Sequence, residues 1–166
     1  MTKQLYKYHE KLGYTFIPNL KARVPWFKGA YLVRTNNIGF RENKDFLIKN
    51  PNNTKRIAFF GDSYLAGDGV SNKDRFTDLL GSHWVNQQVE VFNFGLPGTG
   101  TDQHYLVFKE FVEKADYEHI VISIFVENIT RVNSRYKAFQ SISIGEHQIM
   151  AKPYFTLENN RLKLHH

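Results

Sequence analysis

Three short stretches carry residue types suited to nucleophilic chemistry at a carbonyl carbon. The first is Phe60-Gly61-Asp62-Ser63-Tyr64. A serine just after a buried strand can hold its hydroxyl at a sheet rim, where a neighbouring base can activate it. Gly61 lets the backbone turn sharply there. The second runs Asn93-Phe94-Gly95-Leu96-Pro97-Gly98-Thr99-Gly100-Thr101. Glycines such as Gly98 let backbone N–H groups point at a substrate oxygen. The third is Phe125-Val126-Glu127-Asn128, whose side-chain amide can donate to a developing oxyanion. Each also has a plainer role. Ser63 suits a turn or a cap, the glycine loop suits a connector capped by Thr99 or Thr101, and Asn128 suits the cap of a helix starting at Ile129.

The elements that must position these residues alternate strand and helix. Residues 56–60 form a short apolar run ending in Gly61, which suits a buried strand. Residues 74–87 place Phe76, Leu79, Leu80 and His83/Trp84 at helical spacing, with Asp74 available as cap. Residues 89–94 form a second strand, 95–101 a loop and 102–114 a second helix. Residues 119–126 form a third strand, and the pattern predicts a helix from about 128 to 139. The tail offers a strand at 141–144 and a hairpin of 154–157 with 162–164, turning at Asn159-Asn160. Ahead of all this, residues 1–50 are irregular, interrupted by Gly13, Pro18, Pro25, Gly29 and Gly39. A short strand at 31–35 is expected there, followed by a turn at Asn36-Asn37. Pro51-Asn52-Asn53 marks the boundary between an N-terminal arm, 1–52, and an α/β core, 53–166.

Strand–helix–strand–helix–strand implies a parallel sheet with right-handed crossovers. Ligands in such sheets sit at the carboxyl ends of the strands. Ser63, the Gly98 loop and Asn128 each follow one of the three strands, so they are expected on one rim.

That order resembles the SGNH/GDSL hydrolase family. The first block matches with Tyr64 where the family's motif has leucine. The second matches with Gly98 as its glycine. The third keeps Asn128 but has Val126 and Ile129 where glycine and aspartate are frequent. Gly13-Tyr14-Thr15-Phe16-Ile17-Pro18-Asn19 and residues 31–41 resemble the segment preceding the catalytic core in a bacterial branch of the family, one associated with polysaccharide or cell-surface acyl chemistry. The resemblance implies a three-layer flavodoxin-like fold and a serine esterase acting on O-acyl groups, such as acetyl, of a carbohydrate or cell-surface polymer. Ser63 would be the nucleophile, with its own N–H, that of Gly98 and the Asn128 amide holding the oxyanion. No metal or organic cofactor is implied. An acyltransferase, or a catalytically incomplete carbohydrate-binding or scaffold module on the same fold, are the alternatives.

The family's fourth block, Asp-x-x-His near the C-terminus, has no match in place. Asp116-Tyr117-Glu118-His119 spells it, but precedes the third strand and belongs at the opposite end of the sheet. Asp102-Gln103-His104 lies nearer the rim, where it could orient a substitute base, but helix surface is the favoured explanation. His165 and His166 end the sequence and resemble the start of an affinity tag. His9, His83 and His147 have no suggestive context. The chain is therefore expected to be either a fragment or a short member that borrows its base, binds without turnover, or completes its site with a partner. Three strands make a small sheet whose third strand would leave an apolar edge. Self-association, or a tail strand covering that edge, is expected.

Composition bounds these readings. The 166 residues are 42% hydrophobic and 23% charged, as in one globular domain. Cysteine is absent, which excludes disulfides, thiolate metal sites and a thiol nucleophile. No apolar run approaches a membrane span. No signal peptide is visible, so a cytoplasmic chain is the default expectation, with export open for a trimmed one. The net charge of +6 is concentrated. Residues 1–55 hold 11 Lys and Arg against Glu10, Glu42 and Asp45, a balance of +8. Such a segment can meet nucleic acid, anionic lipid or an acidic polysaccharide, or be a solvated arm. No nucleic-acid motif accompanies it, so nucleic acid is not expected as partner.

Overall fold

The computed structural model describes residues 4–27, 29–140 and 147–166. The arm forms two antiparallel pairs. β1 (Tyr6–His9) pairs with β2 (Gly13–Phe16), and β3 (Lys21–Trp26) pairs with β4 (Gly29–Arg34). The second pair contains the strand expected at 31–35.

The sheet follows. β5 (Lys55–Gly61) leads into the short helix α1 (Ser63–Ala66), and α2 (Phe76–Trp84) precedes β6 (Val89–Gly95). The helix α3 (Thr101–Val107) passes into a π turn, Phe108–Val112, before β7 (His119–Ile122). The three strands are parallel in the order β6-β5-β7. β5 is buried along almost its whole length, as a central parallel strand with elements on both sides requires. The chain is thus an α/β protein around a three-stranded parallel sheet.

The arm and the sheet share one core. Leu12, Phe16, Val33, Phe40 and Phe46 lie in the same buried cluster as Ala58, Phe60, Phe92 and Phe94. Phe60 and Phe94 stack across β5 and β6 at 5.2 Å, and Phe40 and Phe46 meet Phe94 edge-on. Such ring pairs add about 0.5–1.5 kcal/mol each beyond area burial.

Several expectations change. The helix expected at 128–139 is instead a run of 3-10 turns, Val126–Asn133, followed by strand β8 (Tyr136–Gln140), which pairs with β9 (His147–Ala151). Ser134 is extended and stops the helical winding. Beyond it burial alternates with period two, and Phe139 stacks on Tyr6 at 4.3 Å. Tertiary docking onto the arm overrides the local helical pattern. The third strand ends at Ile122, not 126, because its partner β5 runs out at Gly61. Asp74 is not a helix cap. It closes a 3-10 turn, Asn72–Asp74, and α2 begins after Arg75 with no side-chain cap.

The strand expected at 141–144 falls outside the described residues. The tail hairpin forms as expected from β10 (Tyr154–Glu158) and β11 (Arg161–His165). Asn159 and Asn160 both take positive φ, the geometry a two-residue type I′ turn needs. That hairpin pairs with itself and not with β7. Among the described residues β7 pairs only with β5, and Ile120, Val121 and Ile122 stay exposed. Among the described residues no helix is long and apolar enough to cross a membrane.

Candidate functional site

β5 delivers Ser63 to the carboxyl rim of the sheet. Asp62 ends the strand turn and caps α1, its carboxylate accepting from the Tyr64 N–H at 3.0 Å. Ser63 is the first residue of the helix, so its own N–H has no intrahelical acceptor. Ser63 as a whole is half-buried. Tyr64 beside it packs at a tilt against Phe125, which follows β7, with ring centroids 4.5 Å apart.

β6 delivers the glycine loop to the same rim. The Leu96 N–H donates to the Gly61 carbonyl at 3.0 Å, extending the sheet past the last strand residues. Gly95 faces the back of α1. A β-carbon there would lie 2.5 Å from the Ala66 nitrogen, a backbone clash, so glycine is required for this close approach. Gly98 has φ +81°, and its N–H makes no backbone hydrogen bond among the described residues. Asn93, buried at the start of the loop block, donates to the Leu65 carbonyl and to the Thr77 hydroxyl, both at 2.8 Å. Its side-chain Oδ1 accepts from the Gly95 N–H at 2.9 Å. One side chain thus joins α1, α2 and the loop.

The 3-10 segment after β7 supplies Asn128. Its Nδ2 donates to Asp62 Oδ2, the same oxygen that accepts from Arg131 Nη1 at 3.3 Å. Arg131 also reaches the Thr99 carbonyl at 3.4 Å. The Asp62 carboxylate therefore orients the Asn128 amide. One N–H hydrogen of that amide is left for a further acceptor. Three distant segments are brought to one rim: Ser63, the Gly98 loop and Asn128. Asp62 and Arg131 are the ties between them. The sequence reading missed both roles, although an aspartate between a strand glycine and a serine is a cap signal that points at Asp62.

Behind the rim stands His104. Gln103 and His104 are buried, contrary to the helix-surface expectation. The arm and tail cover this side of α3. Gln103 donates to the Leu12 carbonyl at 2.8 Å, and Asp102 pairs with Lys152 in a buried salt bridge. His104 Nε2 lies 3.1 Å from Thr99 Oγ1, whose single hydrogen goes to the Leu96 carbonyl at 2.7 Å. The histidine must then be the donor, with its proton on Nε2. Burial pushes its pKa down to about 4, with the Asp62 charge opposing and the Arg131 charge adding to the shift. It is a neutral structural donor, and no histidine nitrogen is within hydrogen-bonding distance of the Ser63 hydroxyl among the described residues. Asp116 and His119 lie, as expected, at the opposite end of the sheet, where His119 pairs with Ile57 at the start of β7.

Two further features border the site. The Lys137 side chain lies against Gly98, where a β-carbon would overlap it. Burial, and next the Arg131 charge, hold its ammonium below the ordinary lysine value. On the far side, the fully buried Arg41 fixes the loop that follows α1. Its Nη1 donates to the Ala66 and Gly67 carbonyls at 2.7 and 2.6 Å, and its Nη2 to the Val70 carbonyl at 2.7 Å. Among the described residues no cluster of His, Asp and Glu could hold a metal ion. No protein-family model matches the chain, and no curated protein matches it.

Proposed function

We propose that the chain carries a serine ester-hydrolase site of the SGNH/GDSL type on a three-layer flavodoxin-like fold, with O-acyl groups of a carbohydrate as substrates. The observation that carries this reading is the tie between Asp62 and Asn128, which joins the nucleophile block to the amide block across the sheet rim. Ser63 Oγ attacks the acyl carbon. The oxyanion is held by the N–H groups of Ser63 and Gly98 and by the Asn128 amide, each worth about 3 kcal/mol. The ester C–O bond then breaks as the leaving alkoxide takes up the proton that Ser63 gives up. Water or another hydroxyl then attacks the acyl-Ser63 ester, carrying off the acyl group while its own proton returns to Ser63 Oγ. Tyr64 and Phe125 give an apolar lip beside the hydroxyl.

A second reading, a binding module without turnover, is favoured by the missing contact between Ser63 and any described histidine nitrogen. The two differ in a simple assay. A fluorophosphonate probe labels Ser63 in the esterase and labels nothing in Ser63→Ala. Absence of labelling in the folded parent supports the binding module. Without a histidine base, ester turnover is expected to keep only the roughly 10³–10⁴-fold advantage over water that oxyanion binding supplies.

A further inference from the structure

The excess positive charge of the arm is placed by the fold along one groove. β3 and β4 pair so that Lys21 stands directly opposite Arg34 and Arg23 opposite Leu32. These four residues are exposed along one face of the ribbon. Like charges directly opposite each other on a strand pair repel and destabilise it. Across from the ribbon, the 3-10 turn Asn72–Asp74 adds Lys73. Together they line a groove of about 530 Å³ that also takes in the exposed Leu32 side chain and whose lining includes no acidic residue. None of Lys21, Arg23, Arg34 and Lys73 forms an ion pair among the described residues. Four cations line this cavity with no acidic residue among its lining. Although Lys21 and Arg34 also border a neighbouring hollow with Glu42 and Asp45, and Lys73 one with Asp78, the excess inside the groove is positive and attracts anions.

We infer that this groove binds an acidic polysaccharide, a sugar chain bearing carboxylates or sulfates. The groove is concave, which fits a chain and not a flat bilayer. It offers the exposed Leu32 side chain to the C–H faces of sugar rings and cationic side chains to their acid groups. Single-stranded nucleic acid is disfavoured because its bases need aromatic stacking platforms, and no aromatic residue lines the groove. The exposed rings sit instead at the ribbon tip. Trp26 packs edge-on against Tyr31, and Phe27 is 93% exposed. A sugar chain leaving the groove along the ribbon meets them there. The groove is also tied to the Ser63 helix, since the Arg41 guanidinium that holds Ala66 and Gly67 also donates to Asn72 Oδ1 at 3.1 Å.

The test is binding of the full chain to polygalacturonate at low salt, by titration calorimetry, with uncharged dextran and oligodeoxythymidylate as comparison ligands. Binding is read without turnover, so a chain that never labels at Ser63 still answers the question. The expected result is that polygalacturonate binds, dextran does not, and added salt weakens the complex. The double variant Arg23→Gln/Lys73→Gln should lose about tenfold in affinity. Lys109→Gln/Lys163→Gln, which removes two exposed cations elsewhere, should change it less than about twofold. Equal losses in both double variants, or no loss in the first, would overturn the groove. Tighter binding of the oligonucleotide than of polygalacturonate would overturn the assigned ligand.

Discussion

Replacing Arg41 by alanine should cost more stability than any surface change in the molecule. The side chain is 0% exposed and its guanidinium supplies the donors for the Ala66, Gly67 and Val70 carbonyls. Hydrogen bonds from a charged donor contribute about 1.5–3 kcal/mol each. Three at the lower figure give about 4–5 kcal/mol. Desolvation of the charge offsets part of this, since burial pushes the Arg41 pKa down to about 10 with the neighbouring Arg75 charge adding. A net loss of about 3–4 kcal/mol is expected, a large fraction of the 5–15 kcal/mol typical of a domain. With a urea m-value of about 2 kcal/mol/M, the midpoint should fall by roughly 1.5–2 M. Arg41→Lys keeps a charge but not the fork and should fall between. Urea unfolding followed by tryptophan fluorescence measures both. A midpoint for Arg41→Ala within about 0.3 M of the parent, at unchanged m, would refute the assignment of Arg41 as the clamp on the loop after Ser63.

Other consequences of the same geometry can be checked directly. Asp62→Asn keeps the size of the side chain but loses the charge that holds Asn128 and Arg131, so labelling of Ser63 should slow by about 10–100-fold while the fold survives. Gly95→Ala drives a methyl into the Ala66 backbone and should destabilise by about 1–3 kcal/mol, read as a lowered melting temperature. Two of the groups behind the pH dependence act in opposite directions. His104 is held at about 4, below its unfolded value of roughly 6.5, so the unfolded state takes up its proton first and stability falls as pH drops through that window. Asp68 is pushed up to about 6, chiefly by burial, so the folded state binds its proton first and stability rises over an overlapping range. His104→Gln removes the first effect and keeps the second. Its melting temperature relative to the parent should therefore climb between pH 7 and pH 5, and an unchanged difference would remove His104 from the account.

The sheet was legible in the sequence because its signals are local. Apolar runs ending in glycine marked β5 and β6, and the paired asparagines marked the tail turn. The rim residues were legible for the same reason, each following its strand directly. What escaped notice depends on partners far along the chain. Asp62 and Asn128 are 66 positions apart, and nothing near either residue announces the bond. Gln103 and His104 looked like helix surface because what borders them is far away in sequence, Leu12 of the arm for Gln103 and Asp62 and Asn128 of the rim for His104. The helix at 128–139 failed on the same ground. Its pattern is compatible with winding, but Phe139 gains more by stacking on Tyr6 and meeting Tyr14 edge-on. Arg41 could not be told from the other cations of the arm, since only the fold distinguishes a buried guanidinium from a solvated one.

The central place of β5 has a consequence for synthesis. It is the first of the three sheet strands to leave the ribosome, yet it lies in the middle. Its partner β6 begins at Val89, and β7 at His119, whose mate is Ile57. At about 5–20 residues per second, the second edge of β5 stays bare for several seconds after the strand itself is complete. During that wait its phenylalanines are open to mispairing with other nascent chains. Lys55 and Arg56 stand at the entry to the strand, where charge acts as a gatekeeper. Arg56 later turns that charge inward, to the Leu47 carbonyl and Glu90. The same residue would thus discourage aggregation before the sheet closes and staple the sheet to the arm afterwards.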